Sequence, residues 1–278
     1  MGRGSNQARL LRCSNSCQGE YVFKSRSLLE SFGVPSSEGA KREQLAFLMD
    51  EGHVACVPPT FYVDFTQFGL GVGSVQHYEA STAPLERDRF HMKDESLQDD
   101  LRIIRIFNLM ILNLDAFSHN ILITDRSLGA RRCISIDHGY SLPERLAGGP
   151  PRGDLCGEAP FSEKERLYIR SLSQERTLAL LTKHKIHPDA IQMQQAMLQT
   201  LKAAVETPGV TLFHLSTLFY GKRREPREFV SAIGGYGAMD LMTFSDSLVS
   251  PEADMCAILS AKAPDERNAA IKKALRAC

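Results

Sequence analysis

Most of the features that would class this chain at a glance are missing. Its 33 Lys and Arg balance 33 Asp and Glu, so the formal net charge is zero. No global field then points to nucleic acid or to an anionic bilayer. No apolar run approaches the roughly 20 residues needed to cross a membrane. The start, Met1-Gly2-Arg3-Gly4-Ser5-Asn6, has no apolar core of a signal peptide. Asn6 also stands where an N-myristoylation pattern carries Ser or Thr. The seven cysteines are irregularly spaced, and Cys13 and Cys17 lack the second close pair of a zinc site. Reduced thiols in an intracellular protein are therefore expected. The histidines show no H-E-x-x-H spacing, hydrolase signatures such as G-x-S-x-G are absent, and no internal repeat occurs.

What is present is an ordinary globular composition. The 278 residues are 43% apolar, enough to bury one large core or two smaller lobes. Glu20 to Lys24 reads as a strand, and Ala8 to Arg12 can pair with it as a hairpin around Cys13–Gly19. Ala40 to about Met49 reads as a helix with Leu45, Leu48 and Met49 on one side. Val57-Pro58-Pro59-Thr60 is a rigid turn, because each proline fixes φ and removes a donor. Phe61–Phe65 and Gly73–Tyr78 read as two strands around Gly69-Leu70-Gly71. Ala80 to Asp100 is polar and charged and reads as a linker or surface helix. Beyond it the pattern is mainly helical: a capping box at Ser162–Glu165 opens a helix to about Arg170, and Asp189–Val205 and Thr211–Tyr220 are further helices. Lys222, Arg223, Arg224 and Arg227 form a small basic cluster, read as a solvated helix end.

The chemistry gathers between Leu101 and Glu144. An apolar helical run, Leu101 to Asn113, leads to Asp115 and then Asn120. A short apolar segment, Ile121-Leu122-Ile123, is followed by a polar loop and a second apolar segment, Cys133 to Ile136, ending in Asp137-His138-Gly139. Two carboxylates and an amide thus sit on loops at the ends of two short strands. Phosphoryl transfer needs such a set: one Asp for the nucleophile's proton, and an Asn and a second Asp for Mg²⁺ on nucleotide phosphates.

Five blocks, in order, resemble the phosphatidylinositol 3-/4-kinase catalytic superfamily, and most of all its plant-type phosphatidylinositol 4-kinase gamma group. Tyr21-Val22-Phe23-Lys24 resembles the strand bearing the nucleotide-binding Lys, and Ser37 to Glu43 resembles the approach to the helix that supplies its partner. Val57-Pro58-Pro59-Thr60 resembles the family's Val-Pro-Pro-Thr turn. Asn113-Leu114-Asp115 through Asn120-Ile121-Leu122 resembles the catalytic loop, and Ile136-Asp137-His138-Gly139 with Leu142-Pro143-Glu144 resembles the metal-binding loop. After these five, Pro160-Phe161-Ser162-Glu163 resembles the start of a helix in the larger lobe. The resemblance covers roughly residues 20 to 220.

It implies roles. Lys24 would be a point charge on the α/β-phosphates and Glu43 its partner. Asp115 would be the catalytic base or positioner of the attacking hydroxyl. Asn120 would serve the catalytic loop and, with Asp137, hold Mg²⁺. The loop departs from the family's usual Asp-Arg-His-x-x-Asn: it reads Asp115-Ala116-Phe117-Ser118-His119-Asn120, which keeps the Asp-to-Asn spacing and loses the Arg-His pair. The front of the smaller lobe also reads as truncated, with 23 residues before Lys24.

The implied fold is α+β and two-lobed, protein-kinase-like. Residues 1–79 would form the sheet-containing N-lobe, 80–100 a linker, 101–221 a mainly helical C-lobe with a catalytic hairpin, and 222–278 a helical extension. The implied function is an ATP- and Mg²⁺-dependent kinase acting on a phosphoinositide, with a protein Ser/Thr acceptor and a pseudokinase scaffold as alternatives. No nucleic-acid partner is expected. The expected location is the cytoplasm, with any membrane contact peripheral.

Overall fold

The computed structural model describes residues 8–12, 19–25, 38–79, 82–85, 95–124, 131–144, 159–213 and 215–216. Two antiparallel sheets and five α-helices are built from them. The first sheet has the order β1 (Ala8–Arg12), β2 (Glu20–Ser25), β4 (Gly71–His77), β3 (Thr60–Phe65). The β1–β2 hairpin places Ala8 opposite Lys24, and on the other side Lys24 faces Ser74 of β4. The β2–β4 approach depends on Gly73: a Cβ there would lie 2.3 Å from the Lys24 carbonyl oxygen and 2.6 Å from the Phe23 ring. A side chain at this position would push away the strand that carries Lys24.

Helix α1 (Gly39–Met49) lies against β3 and β4 and buries Ala40, Leu45, Ala46 and Met49. It stops at Asp50, whose carboxylate accepts the Ala55 and Val57 amides, each at 2.9 Å. Those two bonds brace the turn into Pro58-Pro59 and so aim β3 back along the sheet.

The core is built on α2 (Glu95–Met110), which buries Leu97, Leu101, Ile103, Ile104, Ile106, Phe107, Leu109 and Met110. A helix apolar on so many sides must be enclosed, and α3 (Glu163–Ser171), α5 (Pro188–Val205) and the second sheet pack around it. That sheet has the order β5 (Thr82–Pro84), β6 (Ile121–Thr124), β7 (Cys133–Ser135). The capping box of α3 is present: Ser162 accepts the Glu165 amide and the Glu165 carboxylate accepts the Ser162 amide. Glu165 also holds Arg102 of α2, at 3.0 Å for one of the two contacts.

Several expectations change. Within the segment read as a linker or surface helix, the described residues form regular elements: Thr82–Pro84 pairs with Ile121–Thr124 as the third strand of a sheet, and α2 opens at Glu95 with Leu97 fully buried. The charges around this segment hide the start of the apolar period at Leu97, Leu101 and Ile104. A helix absent from the sequence reading, α4 (Gln174–Lys183), is capped by Ser173 and buries Thr177 and Leu181. The helix expected over 211–220 opens at Leu212, and residues from 217 onward, with the basic cluster and the extension, lie outside the described residues. No helix among the described residues is long and apolar enough to cross a membrane.

Candidate functional site

Lys24, Glu43 and Asp137 meet where the first sheet, α1 and the segment after β7 come together. The Lys24 ammonium donates to Glu43 Oε1 at 2.8 Å and to Asp137 Oδ1 at 3.2 Å. The three side chains are 14%, 4% and 30% exposed. Burial works against the Lys24 charge, but Glu43 and Asp137 raise its pKa above the ordinary lysine range. Lys24 in turn holds the Asp137 carboxyl below its ordinary value, against burial. Glu43 goes the other way: burial, with the nearby Asp137 charge, pushes it up to about 7 despite Lys24. One buried cation thus faces two carboxylates, of which Asp137 is firmly ionised and Glu43 is poised near neutrality.

Asp115 and Asn120 form a second group on the loop after α2. The backbone there is built by asparagines: the Asn113 side chain donates to Asn108 Oδ1 at 2.9 Å and accepts the Asp115 amide at 3.1 Å. The Asn120 amide nitrogen donates to the Asp115 carbonyl at 2.8 Å and to its carboxylate at 3.0 Å. The Ile136 amide donates to the Asn120 carbonyl at 2.9 Å, which joins this loop to the strand leading into Asp137. Burial and the Asp137 charge push the Asp115 carboxyl up to about 6, against the Asn120 hydrogen bond and the charges of His119 and Lys24. Asp115 therefore lies within electrostatic reach of both Asp137 and Lys24. A carboxyl poised there is matched to proton transfer near neutral pH.

The Asp137 backbone is unusual. Its φ of 62° is in the left-handed region, uncommon outside glycine and tolerated best by Asp and Asn. Such a conformation persists where the surroundings over-determine it. His138 supplies part of that hold. It is fully buried, its Nε2 lies 2.9 Å from Ser135 Oγ, and Phe107 of α2 meets its ring edge-on at 5.8 Å. Burial, with the Lys24 charge, drives its pKa down to about 3, so it is neutral and structural at ordinary pH. His119 is exposed and stacks on Phe117 at 5.3 Å.

The structure thus brings Lys24, Glu43 and Asp137 together, pairs Asn120 with Asp115, and couples the two groups through charge. Sequence reasoning gave no role to Arg42, which is fully buried beside Glu43 and donates to the Ser141 carbonyl at 2.9 Å. Its signal was its position. Arg42 falls on the same helical stripe as Leu45, Ala46 and Met49, where a charge has no business without a buried partner.

The residues fit a nucleotide with Mg²⁺ in part by their chemistry. Among the described residues no group of three or more His, Cys, Asp or Glu could hold a metal unaided. Mg²⁺ is commonly held by one or two protein oxygens, with phosphates and water completing its shell. Ionised Asp137 and the carbonyl end of Asn120, whose nitrogen is committed to Asp115, are suited to that share. The buried Glu43 Oε2 has no hydrogen-bond partner, while its Oε1 accepts from Lys24.

Comparison with known proteins points the same way. No family model matches the chain. Seven curated proteins do, and all are named phosphatidylinositol 4-kinase gamma. Phosphatidylinositol 4-kinase gamma 4 of Arabidopsis thaliana is 28% identical over 211 residues, covering 67% of this chain and 36% of the relative. Phosphatidylinositol 4-kinase gamma 4 of Oryza sativa subsp. japonica is 26% identical, over 72% of this chain and 38% of the relative. Phosphatidylinositol 4-kinase gamma 5 of Arabidopsis thaliana is 32% identical over 50% of this chain and 25% of its own length. The chain is therefore similar to the plant phosphatidylinositol 4-kinase gamma group, as its motifs imply. It spans about a third of the length of the first two relatives.

Proposed function

We propose that this chain is the ATP-binding, phosphoryl-transferring part of a phosphatidylinositol 4-kinase-like enzyme, with the two-lobed arrangement of the kinases. The sheet with α1 is its smaller lobe, and the helical part with the β5–β6–β7 sheet is its larger one. The observation that carries this reading is the Lys24 ammonium held between Glu43 at 2.8 Å and Asp137 at 3.2 Å, across 113 residues of sequence to Asp137. Charge pairing of this kind orients an amine toward phosphate oxygens and keeps a carboxylate ionised beside it. Bound Mg²⁺ would neutralise phosphate charge at Asp137 and Asn120. Asp115 would accept the proton of the attacking hydroxyl, for which its raised pKa suits it, while Asn120 fixes its orientation. The relatives' names favour the inositol ring of a phosphoinositide as acceptor, with a protein hydroxyl as the other kinase outcome.

A second reading has its own support. Ala116 and Phe117 replace the Arg and His of the usual loop, and Phe117 is instead stacked on His119. A module that binds nucleotide without turnover fits that substitution. The test separates the readings. ATP with Mg²⁺ should raise the thermal midpoint of the wild type and not that of Asp137→Ala. Labelled γ-phosphate should then pass to vesicles containing phosphatidylinositol. Binding without transfer to lipid or protein selects the scaffold, and absence of any Mg²⁺-dependent shift overturns nucleotide binding itself.

A further inference from the structure

We propose that Arg42 is a positioning residue that locks α1 to the Asp137 loop, so that Glu43, Lys24 and Asp137 move as one unit; this rests on the phosphotransferase reading of the site. Arg42 and Glu43 are consecutive on α1, and each reaches the segment after β7 by a different route. Glu43 reaches it through Lys24, which bonds Asp137. Arg42 reaches it directly. Its Nη1 donates to the Ser141 carbonyl at 2.9 Å, and its Nη2 donates to Glu38 Oε2 at 2.9 Å and lies 3.8 Å from Glu144. The guanidinium is fully buried and spans the first turn of the helix and the Ser141–Glu144 end of the loop.

The surrounding contacts show why this grip would reach Asp137. The first turn of α1 rests on the loop backbone to backbone, since a Cβ on Gly39 would lie 3.6 Å from the Gly139 carbonyl oxygen. On the opposite side the loop is tied to the end of α2: the Leu142 amide donates to the Ile111 carbonyl at 2.8 Å and the Leu114 amide to the Tyr140 carbonyl at 3.2 Å. The Ser141 amide closes the turn on the His138 carbonyl at 3.0 Å. The loop is thus held between α1 and α2, and Arg42 is the side chain that makes the α1 half of the grip. A lysine cannot reproduce it, because two acceptors in different directions need the planar fork of arginine.

Two variants of the full chain test this, Arg42→Met and Arg42→Lys, by amide hydrogen exchange without ligand and by ATP-dependent thermal shift over a Mg²⁺ titration. Arg42→Met should speed exchange at Leu114, Ser141 and Leu142 while α5 stays protected. It should raise the Mg²⁺ concentration that half-saturates the shift about tenfold, the low end of the usual cost of losing a group that orients a metal ligand. Arg42→Lys should recover part of both. If Arg42→Met folds and keeps wild-type exchange in the loop, or loses thermal stability with an unchanged Mg²⁺ midpoint, the proposal is overturned. Should Arg42→Met fail to fold, Arg42→Lys decides: full wild-type behaviour in both measurements sinks the idea. A wild type that shows no ATP shift defeats the phosphotransferase reading instead, and the exchange measurement still decides whether Arg42 holds the loop.

Discussion

The two halves of the site are held by different physics. Asp115, Asn120 and His138 hang from an apolar core: α2 alone buries eight large aliphatic or aromatic side chains there, and the loop after it is fixed by backbone and asparagine hydrogen bonds. Lys24 sits on a sheet with little core of its own. Among the described residues, Phe23 is the one fully buried apolar side chain of its four strands, and the other buried side chains are Thr60, Ser74 and Gln76. α1 and the Lys24 ion pairs join that sheet to the rest. Hydrophobic burial is non-directional and indifferent to ligand, whereas a buried cation between two carboxylates is directional and open to competition from phosphate and metal. The helical half is therefore fixed by contacts that no ligand competes for, and the sheet half by contacts that a charged ligand would compete for.

The largest test of that contrast is Phe107→Ala. It removes a fully buried ring of α2 that also packs edge-on against His138. A cost of about 3–5 kcal/mol is expected from such a truncation, read as a lowered midpoint in urea for the whole domain. Lys24→Met comes next. It leaves Glu43 and Asp137 facing each other without their cation, at a cost of about 3 kcal/mol near pH 8, the low end for breaking a buried pair. The loss should shrink as pH falls toward about 7, because Glu43, which titrates at about 7 beside Lys24, takes up its proton at higher pH once the cation that lowers it is gone. The double variant Lys24→Met, Glu43→Leu should regain most of the stability and none of the ATP-dependent shift. A double variant as unstable as the single one would show that packing, not charge, seats the sheet.

This contrast also explains what could be read from the residues. The strands and α1 follow ordinary periodicity, and the hairpin of Ala8–Arg12 with Glu20–Ser25 emerges from two short β-prone runs. Lys24 and Asp137 are far apart in sequence: the family resemblance implied a role for each and paired Lys24 with Glu43, while the direct Lys24–Asp137 contact is visible only in the fold. α4 was missed because its buried residues are Thr177 and Leu181 while Leu178 is exposed, which blurs the amphipathic stripe. The start of α2 was missed because acidic residues surround Leu97. Arg42 was passed over because a charged residue on a short helix ordinarily faces water; only the tertiary partner, a carbonyl 99 residues away, reveals its burial.

The smallest effect bears on Asp115 and distinguishes function from capping. Its carboxyl is pushed up to about 6 in the folded chain, against about 4 in an unfolded one. The folded state therefore binds this proton more tightly, so the group favours folding at low pH and works against it as pH rises from about 4 through about 6. Asp115→Asn keeps an acceptor for the Asn120 amide and removes the titration. It should raise the thermal midpoint slightly at pH 8, with the gain fading as pH falls through about 6 and gone by about pH 4. Phosphoryl transfer should move oppositely: the wild-type rate falls on acidification below about 6, and the variant loses at least about 100-fold at pH 8, the usual share of a general base. A residue kept for stability would show the reverse, with the variant weaker at pH 8 and its turnover intact. A gain in stability bound to a loss in rate, both governed by one titration, is the signature of a carboxylate retained for proton transfer at the expense of the fold.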